Sequence, residues 1–197
     1  MEKKPIYIIE HLEPKLWEWC LIEYEHISEI VGKDNLWFTN LKPVKSKKDI
    51  KKLEKLGKVF NESVAELELD GACVLDPEAS ETLAPEETLN FNYLIFGGIL
   101  GDYPPKKRTK KELTQFIKNP VVRNIGKEQM STDNAVFTVK QIELGKKFSE
   151  LEFKDNVSIQ INEFESVDLP YRYNLVNGKP FMSSKIFFYL KKQGGLR

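Results

Sequence analysis

The sequence predicts an α/β fold, with helices covering both faces of a mostly parallel β-sheet. Short apolar runs alternate along the chain with segments whose apolar residues recur at helical spacing. This alternation is typical of parallel strands joined by crossover helices. The 197 residues are 41% hydrophobic and 30% charged, so the chain is globular and long enough to bury its own core.

The first half of the chain has two strand and helix pairs. Ile6 to Ile9 predicts a strand, and a helix is expected to begin near Pro14 and to end at Gly32. Leu36 to Thr39 predicts a second strand, and residues 46–58 predict a lysine-rich helix opened by a serine or aspartate cap. The buried face of the first helix is expected to consist of Leu16, Trp17, Cys20, Tyr24, Ile27 and Val31.

The middle of the chain continues this alternation. Ala72 to Leu75 and Tyr93 to Phe96 predict two buried strands bounded by turn residues. A helix is expected from about Thr109 to Ile117, and a strand from Val121 to Asn124. Residues 131–147 predict a further helix capped by its first serine or threonine.

The C-terminal part has a different rhythm. Val157, Ile159 and Ile161 alternate with polar residues, and Asn177-Gly178 is a typical hairpin turn. These features indicate either an added edge of the main sheet or a small β extension. We therefore expect a main domain over residues 1–148 and an extension over 149–197 packed on it.

The net charge is zero, but the charges lie in blocks. Residues 42–58 contain eight lysines and two acids, whereas residues 59–105 contain ten acids and neither lysine nor arginine. Such blocks are usually solvated faces; the functional alternative is a surface that steers a charged macromolecule. The N-terminus resembles neither a signal peptide nor a membrane span, and the two cysteines suit a reducing compartment, so we expect a cytoplasmic protein without a membrane partner.

Three loops follow predicted strands, at residues 75–77, 96–105 and 123–135. Because ligands bind beyond the carboxyl ends of parallel strands, these loops are expected to converge on one site. Each has a plain structural alternative: an Asp-Pro turn, a tight glycine turn and a helix cap, respectively. The second loop is long for a simple turn, and a cap explains only one of Ser131, Thr132 and Asp133.

The composition of these loops favours a nucleotide-like ligand without bound phosphates. The glycine loop matches neither GxGxxG nor GxxxxGK[ST], and Ile99 and Leu100 between its glycines would form an apolar slot for an adenine ring. The start of the third helix offers free backbone amides. His11, His26 and the cysteines lack metal-ligand spacing, so we predict no metal site.

Two groups of carboxylates outside the loops need an interpretation. Glu10 ends the first strand and could face the site; an ordinary strand-end carboxylate is the alternative. Glu23 and Glu25 on the first helix are expected to face solvent or to be paired.

The chain resembles a known family in four segments taken together: YIIEH, LDP, FGGILGD followed by PP and RT, and IG followed by QM, TD and A. It is a group of SPOUT-class methyltransferases that includes arginine methyltransferases of a small-subunit ribosomal protein. The group is also described as S-adenosylmethionine-dependent RNA methyltransferases. The resemblance covers most of residues 6–148 and, weakly, the tail around residues 168–180.

The resemblance implies an α/β trefoil knot, with S-adenosyl-L-methionine bound in a bent form inside it. It also implies that Arg108 and Thr109 bind the substrate, and that target preference could differ at Lys107 and Asn134, where the sequence departs from the family pattern. The cofactor-binding residues that it implies are Leu75, Asp76, Pro77, Phe96, Gly97, Gly98, Ile99, Leu100, Gly101, Asp102, Ile125, Gly126, Gln129, Met130, Thr132 and Ala135.

A methylsulfonium is already a strong electrophile, so the protein mainly has to align donor and acceptor. An arginine acceptor needs a carboxylate that orients its guanidinium and helps to remove a proton. The candidates are Asp102, Asp133 and Glu10. Asp102 ranks first and Glu10 last for the cofactor side, and this order is reversed for the substrate side. An RNA acceptor would instead use cations at the mouth, such as Lys106, Lys107, Arg108 and Arg123.

The resemblance favours a ribosomal protein as partner. RNA is the alternative partner, and a non-catalytic ribosome-associated module is an alternative of another class. A monomer is slightly favoured over a homodimer.

Overall fold

The structure, a computed structural model, describes residues 4–193, which form a six-stranded and a three-stranded sheet with six α-helices. The strands are β1 Ile6–His11, β2 Leu36–Thr39, β3 Lys58–Val59, β4 Ala72–Leu75, β5 Tyr93–Gly98, β6 Val121–Arg123, β7 Phe153–Gln160, β8 Ser166–Val176 and β9 Lys179–Pro180. The helices are α1 Glu18–Val31, α2 Lys47–Leu56, α3 Pro85–Thr88, α4 Arg108–Glu112, α5 Thr132–Glu143 and α6 Ser184–Gln193.

The main sheet has the strand order β3-β2-β1-β5-β4-β6, and all of its neighbouring strands are parallel. Near the carboxyl ends, Leu75 of β4 pairs with Arg123 of β6, and His11 of β1 pairs with Gly98 of β5. Because every strand points the same way, the loops after β4, β5 and β6 leave from the same edge of the sheet.

Both faces of this sheet are covered, as predicted. Tyr7 and Ile9 of β1 point to one face and belong to a core cluster shared with α1, α2 and α5. Ile8 points to the opposite face, where it clusters with Val64 of a short 3₁₀ segment and with Leu113, which follows α4. The α/β fold class is therefore confirmed, with a fully parallel main sheet.

Helix α1 begins later than predicted, at Glu18 rather than near Pro14. The amide of Leu12 donates to the carbonyl of Gly98 at 3.1 Å, so the chain runs on beside β5 after β1 and Pro14 falls in the connection. Trp17 consequently sits at the N-cap with 40% of its surface exposed, outside the buried face. Gly32, with φ of 79°, ends the helix as predicted.

Three other helices also differ from their predicted lengths. Helix α2 is opened by Ser46, whose hydroxyl accepts from the amide of Asp49 as predicted, but it ends at Leu56. The segment after Thr109 forms only the short α4 and a 3₁₀ turn. Helix α5 ends at Glu143, because Gly145 adopts a φ of 95°.

The C-terminal strands form a separate antiparallel sheet in the order β7-β8-β9. The small β extension is thus confirmed, whereas the alternative of an added main-sheet edge is wrong. Asn177 and Gly178 have φ of 53° and 73°, and Val176 pairs with Lys179, which confirms the predicted hairpin. Val157 and Ile159 are buried in a second core cluster that also contains Ile22 of α1.

A buried amide pair ties this sheet to α5. The backbone amide of Asn174 donates to the side-chain oxygen of Asn134 at 2.9 Å, and the Asn174 side chain donates to the Asn134 carbonyl at 3.1 Å. Thr138 adds a bond to the Asn174 side chain, and the Asn134 side chain donates to the carbonyl of Phe181. Asn134, one of the two departures from the family pattern, therefore anchors the C-terminal sheet.

We expect Asn174→Ala to lower the free energy of unfolding by about 2 kcal/mol, because it removes buried hydrogen bonds and leaves a cavity. Urea unfolding measures this change. Asn90→Ala, at an exposed position, is the control and should change the free energy by less than about 0.5 kcal/mol. Equal effects of the two substitutions would contradict the anchoring role.

Candidate cofactor and acceptor site

The three predicted loops converge on one cavity at the carboxyl edge of the main sheet. All residues that the resemblance implied for the cofactor line it, except Gly98 and Leu100. They are Leu75, Asp76, Pro77, Phe96, Gly97, Ile99, Gly101, Asp102, Ile125, Gly126, Gln129, Met130, Thr132 and Ala135. Arg108 and Thr109 line it as well, together with Glu78, Lys106, Lys107, Lys127 and Glu128.

The inner wall of the cavity is apolar and has a few fixed polar groups. Leu75, Phe96 and Ile125 are buried, and they offer a surface suited to an aromatic ring. The Asp76 carboxylate is held from two sides, since it accepts from the Glu78 amide at 2.9 Å and from the Thr114 hydroxyl at 2.6 Å. Such a wall fits an adenine ring better than a phosphate chain.

Gly98 and Leu100 face the other way. A Cβ atom on Gly98 would lie 2.4 Å from the hydroxyl of Tyr24 and 2.9 Å from Ile9, so this glycine allows α1 to pack closely against β5. The side chain of Leu100 packs against the main core cluster, and its amide donates to Glu13 at 3.0 Å. The predicted apolar slot therefore contains Ile99 but not Leu100.

The C-terminal sheet holds two cavity loops together. The hydroxyl of Tyr171 on β8 donates to the carbonyl of Gly101 at 3.1 Å, and the amide of Arg172 donates to the carbonyl of Gln129 at 2.8 Å. The Gln129 side chain in turn donates to the carbonyl of Asp102 at 3.1 Å. Sequence reasoning did not single out Tyr171, although the weak resemblance around residues 168–180 was a signal for it.

Acids and lysines are paired at the mouth of the cavity. Asp102 lies 2.7 Å from Lys106, and Glu78 lies 2.9 Å from Lys107. Both lysine side chains are largely exposed, with 67% and 69% of their surface accessible. Ion pairs of this kind contribute at most about 1 kcal/mol, so a better cation can replace the lysine.

Arg108 is fixed more firmly than these lysines. It donates to both carboxylate oxygens of Glu112, at 2.7 and 3.0 Å, and to Glu13 at 2.9 Å. The hydrogen bond with Glu112, followed by that with Glu13, raises the pKa of Arg108 above its ordinary value. Arg108 also lies 4.0 Å from the Asp102 carboxylate, so it lines the cavity as a permanent cation with three acidic partners.

Glu10 does not line the cavity, which agrees with the alternative of an ordinary strand-end carboxylate. Its buried carboxylate accepts from the hydroxyls of Thr39 and Ser63, each at 2.5 Å, and from the amide of Val64 at 3.1 Å. Burial raises the pKa of Glu10 above its ordinary value. These bonds tie the end of β1 to β2 and to the 3₁₀ segment Val64–Glu66.

Asp133 also lies outside the cavity, in a buried cluster beneath the start of α5. His26 Nδ1 lies 2.7 Å from its carboxylate, which also accepts from the hydroxyl of Ser131 at 2.6 Å. Ser131 occupies the N-cap position of α5, but its hydroxyl does not cap the helix. Asp133 therefore does not line the cavity, and its role toward the acceptor stays a prediction.

The side chain of Glu23 on α1 takes over part of the role of an N-cap for α5. It is buried rather than solvent-facing, and it accepts from the indole of Trp19 at 2.7 Å and from the amide of Thr132 at 3.3 Å. Burial, and after it the negative charge of Asp133, raises the pKa of Glu23 to about 8. Glu25, by contrast, pairs with Lys185 at 2.7 Å.

The spacing of the histidines and cysteines predicted no metal site, and the structure bears on metal-ligating groups and on membrane-spanning helices. Between residues 4 and 193, no three histidine, cysteine or acidic side chains are grouped so that they could hold a metal ion. Within the same range, no helix has the length and apolar character needed to cross a membrane.

The raised pKa of Glu23 predicts a pH-dependent stability. The ordinary pKa of a glutamate carboxyl is 4.5. Between about pH 5 and 8, the folded protein therefore binds more protons at Glu23 than the unfolded chain does. The free energy of unfolding should therefore fall as the pH rises through this window, by at most about 1.4 kcal/mol per pH unit. Urea unfolding of the wild type and of Glu23→Met at pH 6 and 8 measures it; an identical slope in both proteins would refute the assignment.

Gly101 has no room for a side chain. A Cβ atom there would lie 2.4 Å from the ring of Tyr171 and 2.9 Å from Gln129. We expect Gly101→Ala to weaken binding of S-adenosylmethionine roughly tenfold, as measured by calorimetry, because both loops must shift. Asn90→Ala, at an exposed position outside the cavity, is the control and should bind the cofactor like the wild type. Unchanged affinity in Gly101→Ala would show that the loops adapt freely.

Comparison with known proteins agrees with this geometry. Residues 6–195 match the family model described as protein arginine N-methyltransferase SFM1-like. The chain is 38% identical over 200 residues to protein arginine N-methyltransferase SFM1 of Saccharomyces cerevisiae, covering 94% of each protein.

Solved structures give the same result. The yeast SFM1 structure complexed with SAM superposes with a TM-score of 0.87 at 36% identity, covering 96% of this chain and 91% of that chain. A dual-specific Trm10 protein of Thermococcus kodakaraensis shares only the fold, with a TM-score of 0.56 at 17% identity over 74% of this chain and 96% of that chain. The fold is thus of the SPOUT type, while the knot stays a prediction. The chain belongs to the SFM1-like family of protein arginine N-methyltransferases.

Proposed function

We propose that this chain transfers the methyl group of S-adenosyl-L-methionine to an arginine side chain of a small-subunit ribosomal protein. One observation carries the proposal: the residues implied for the cofactor come from three separate loops and surround a single cavity. The SFM1 structures that resemble this chain at 35–36% identity are complexed with SAM, with SAH and with MTA.

The residues of the cavity fit this cofactor. Leu75, Phe96 and Ile125 provide apolar contact for its adenine, and Asp76 offers a fixed acceptor for a hydroxyl or amino group. Gly97 and Gly101 line the same cavity with their backbone alone. When bound, the cofactor supplies a methyl group that is already activated by its sulfonium charge.

Asp102 is the carboxylate that we assign to the acceptor. Of Asp102, Asp133 and Glu10, it alone lines the cavity. An arginine fork binds a carboxylate bidentately, so the substrate guanidinium can take the place of Lys106 on Asp102. Held in this way, one guanidinium nitrogen is oriented toward the methyl donor, and Asp102 accepts the proton that this nitrogen loses.

An RNA acceptor is the second candidate, supported by Lys106, Lys107 and Lys127 at the cavity mouth. Two of these lysines are already paired with acids of the chain, and Arg123 is paired with Glu87 at 2.9 Å. The mouth therefore offers little unpaired positive charge to a phosphate. This balance favours the protein acceptor.

A monomer is also part of the proposal, with residues 149–197 as an extension of the domain formed by residues 1–148. Tyr171 and Arg172 of the same chain bind the two cavity loops, so no second copy is needed to hold them. A cytoplasmic location is supported by Cys20 and Cys73, which are buried free thiols whose pKa is raised to about 12 by burial.

The test uses radiolabelled S-adenosylmethionine and small ribosomal subunits that lack the modification. Label should be lost on protease treatment, should resist nuclease, and should be recovered as methylarginine after hydrolysis. Label lost to nuclease instead would establish the RNA acceptor. No transfer and no cofactor binding would indicate a non-catalytic module.

Asp102→Asn should lower kcat roughly 100-fold or more, because the amide can neither attract the guanidinium nor accept its proton. Calorimetry should show cofactor binding that stays within about threefold of the wild type. Lys106→Met is the matched control; removal of the competing lysine should leave kcat unchanged or raise it. Full activity of Asp102→Asn would show that another group binds the acceptor guanidinium and takes up its proton.

A further inference from the structure

Helix α2 carries a concentrated positive charge that the methyl-transfer site does not use. Five lysines of this ten-residue helix surround one shallow depression of the surface: Lys47, Lys48, Lys51, Lys52 and Lys55. We call these five residues the lysine surface. The apolar side of the same helix is held in the core by Leu53, with Ile50 and Leu56 packed beside it, so the lysines lie on a rigid support.

Most of these charges have no acidic partner. Lys52 pairs with Asp49 at 2.8 Å. No carboxylate of residues 4–193 lies within ion-pair distance of Lys47, Lys48, Lys51 or Lys55, and all four side chains are exposed. The lysines at the cavity mouth differ, since Lys106 and Lys107 are paired. The lysine surface therefore carries uncompensated charge in a chain whose net charge is zero.

The position of the lysine surface separates it from the chemistry. Helix α2 connects β2 to β3, and β3 is the edge strand farthest from β6. Three strand intervals separate β3 from β5, the nearest strand that lines the cavity, which is roughly 14 Å at the usual strand spacing. None of the five lysines lines the cavity, so the lysine surface is separate from the methyl-transfer site.

We infer that the lysine surface binds the phosphate backbone of RNA and docks the enzyme on the ribosomal particle that carries its protein substrate. Lysines are flexible point charges, which suit a repeated phosphate charge rather than a fixed carboxylate fork. The surface has neither an aromatic residue for base stacking nor an arginine for base edges, so it would bind RNA without regard to sequence. This inference rests on the proposed function only for the identity of the particle.

The first experiment measures binding to a single-stranded polyuridine 20-mer by fluorescence anisotropy over a range of salt concentrations. The triple substitution Lys48→Glu, Lys51→Glu and Lys55→Glu should raise the Kd at least tenfold. It should also make the slope of log K against log salt shallower by about 2, at about 0.7 per lost lysine contact. The control triple, Lys146→Glu, Lys154→Glu and Lys179→Glu, changes three exposed lysines elsewhere and should bind like the wild type.

The second experiment compares methylation of intact small subunits with methylation of acid-extracted small-subunit proteins. The α2 triple variant should lose at least tenfold in kcat/KM on intact subunits and nothing on extracted proteins; the control triple should lose neither. Equal RNA binding by the two triples, or competition by polyglutamate as effective as RNA at equal charge, would overturn the inference. If neither substrate is methylated, the proposed function fails while the binding experiment still decides the role of the lysine surface.

Discussion

The parallel pairing of β4 between β5 and β6 is the constraint on which the rest of the site depends. Because the three strands run in one direction and are in register, their loops leave from one edge and meet in one cavity. The residues of these loops are far apart in the chain, and each loop alone resembles an ordinary turn. The strand pairing brings the Asp-Pro turn, the glycine loop and the helix start together, so that they form one wall of the cavity.

The sheet positions the loops, and the C-terminal strands then hold them. Tyr171 and Arg172 bond to the second and third loops, while the amide pair Asn134 and Asn174 fixes β8 against α5. The extension therefore helps to shape the cavity, although none of its described residues, 149–193, lines the cavity wall. The main sheet therefore sets where the loops start, and the added sheet holds two of them at Gly101 and Gln129.

The fold class and the three cavity loops could be predicted because they depend on local rules, whereas the individual cofactor residues were implied by the family resemblance. Strand periodicity, turn residues and the direction of parallel strands are all readable within short windows of sequence. Gly98 and Leu100 do not line the cavity because they pack toward Tyr24 and the main core cluster, and these distant contacts have no local signal in the sequence. The hydrogen bonds of Glu10 and Asp133 could not be predicted because their partners, such as Ser63 and His26, are distant in the chain and no local pattern indicates them.

The pairing of Asp102 with Lys106 has a consequence for selectivity. A substrate lysine arriving at Asp102 would exchange one ammonium for another and gain almost nothing, since Lys106 already provides that contact at 2.7 Å. An arginine gains the second hydrogen bond of its planar fork, which an ammonium cannot match. With Asp102 in its proposed role, Lys106 therefore favours arginine over lysine as the acceptor, because only arginine gains a hydrogen bond by replacing it.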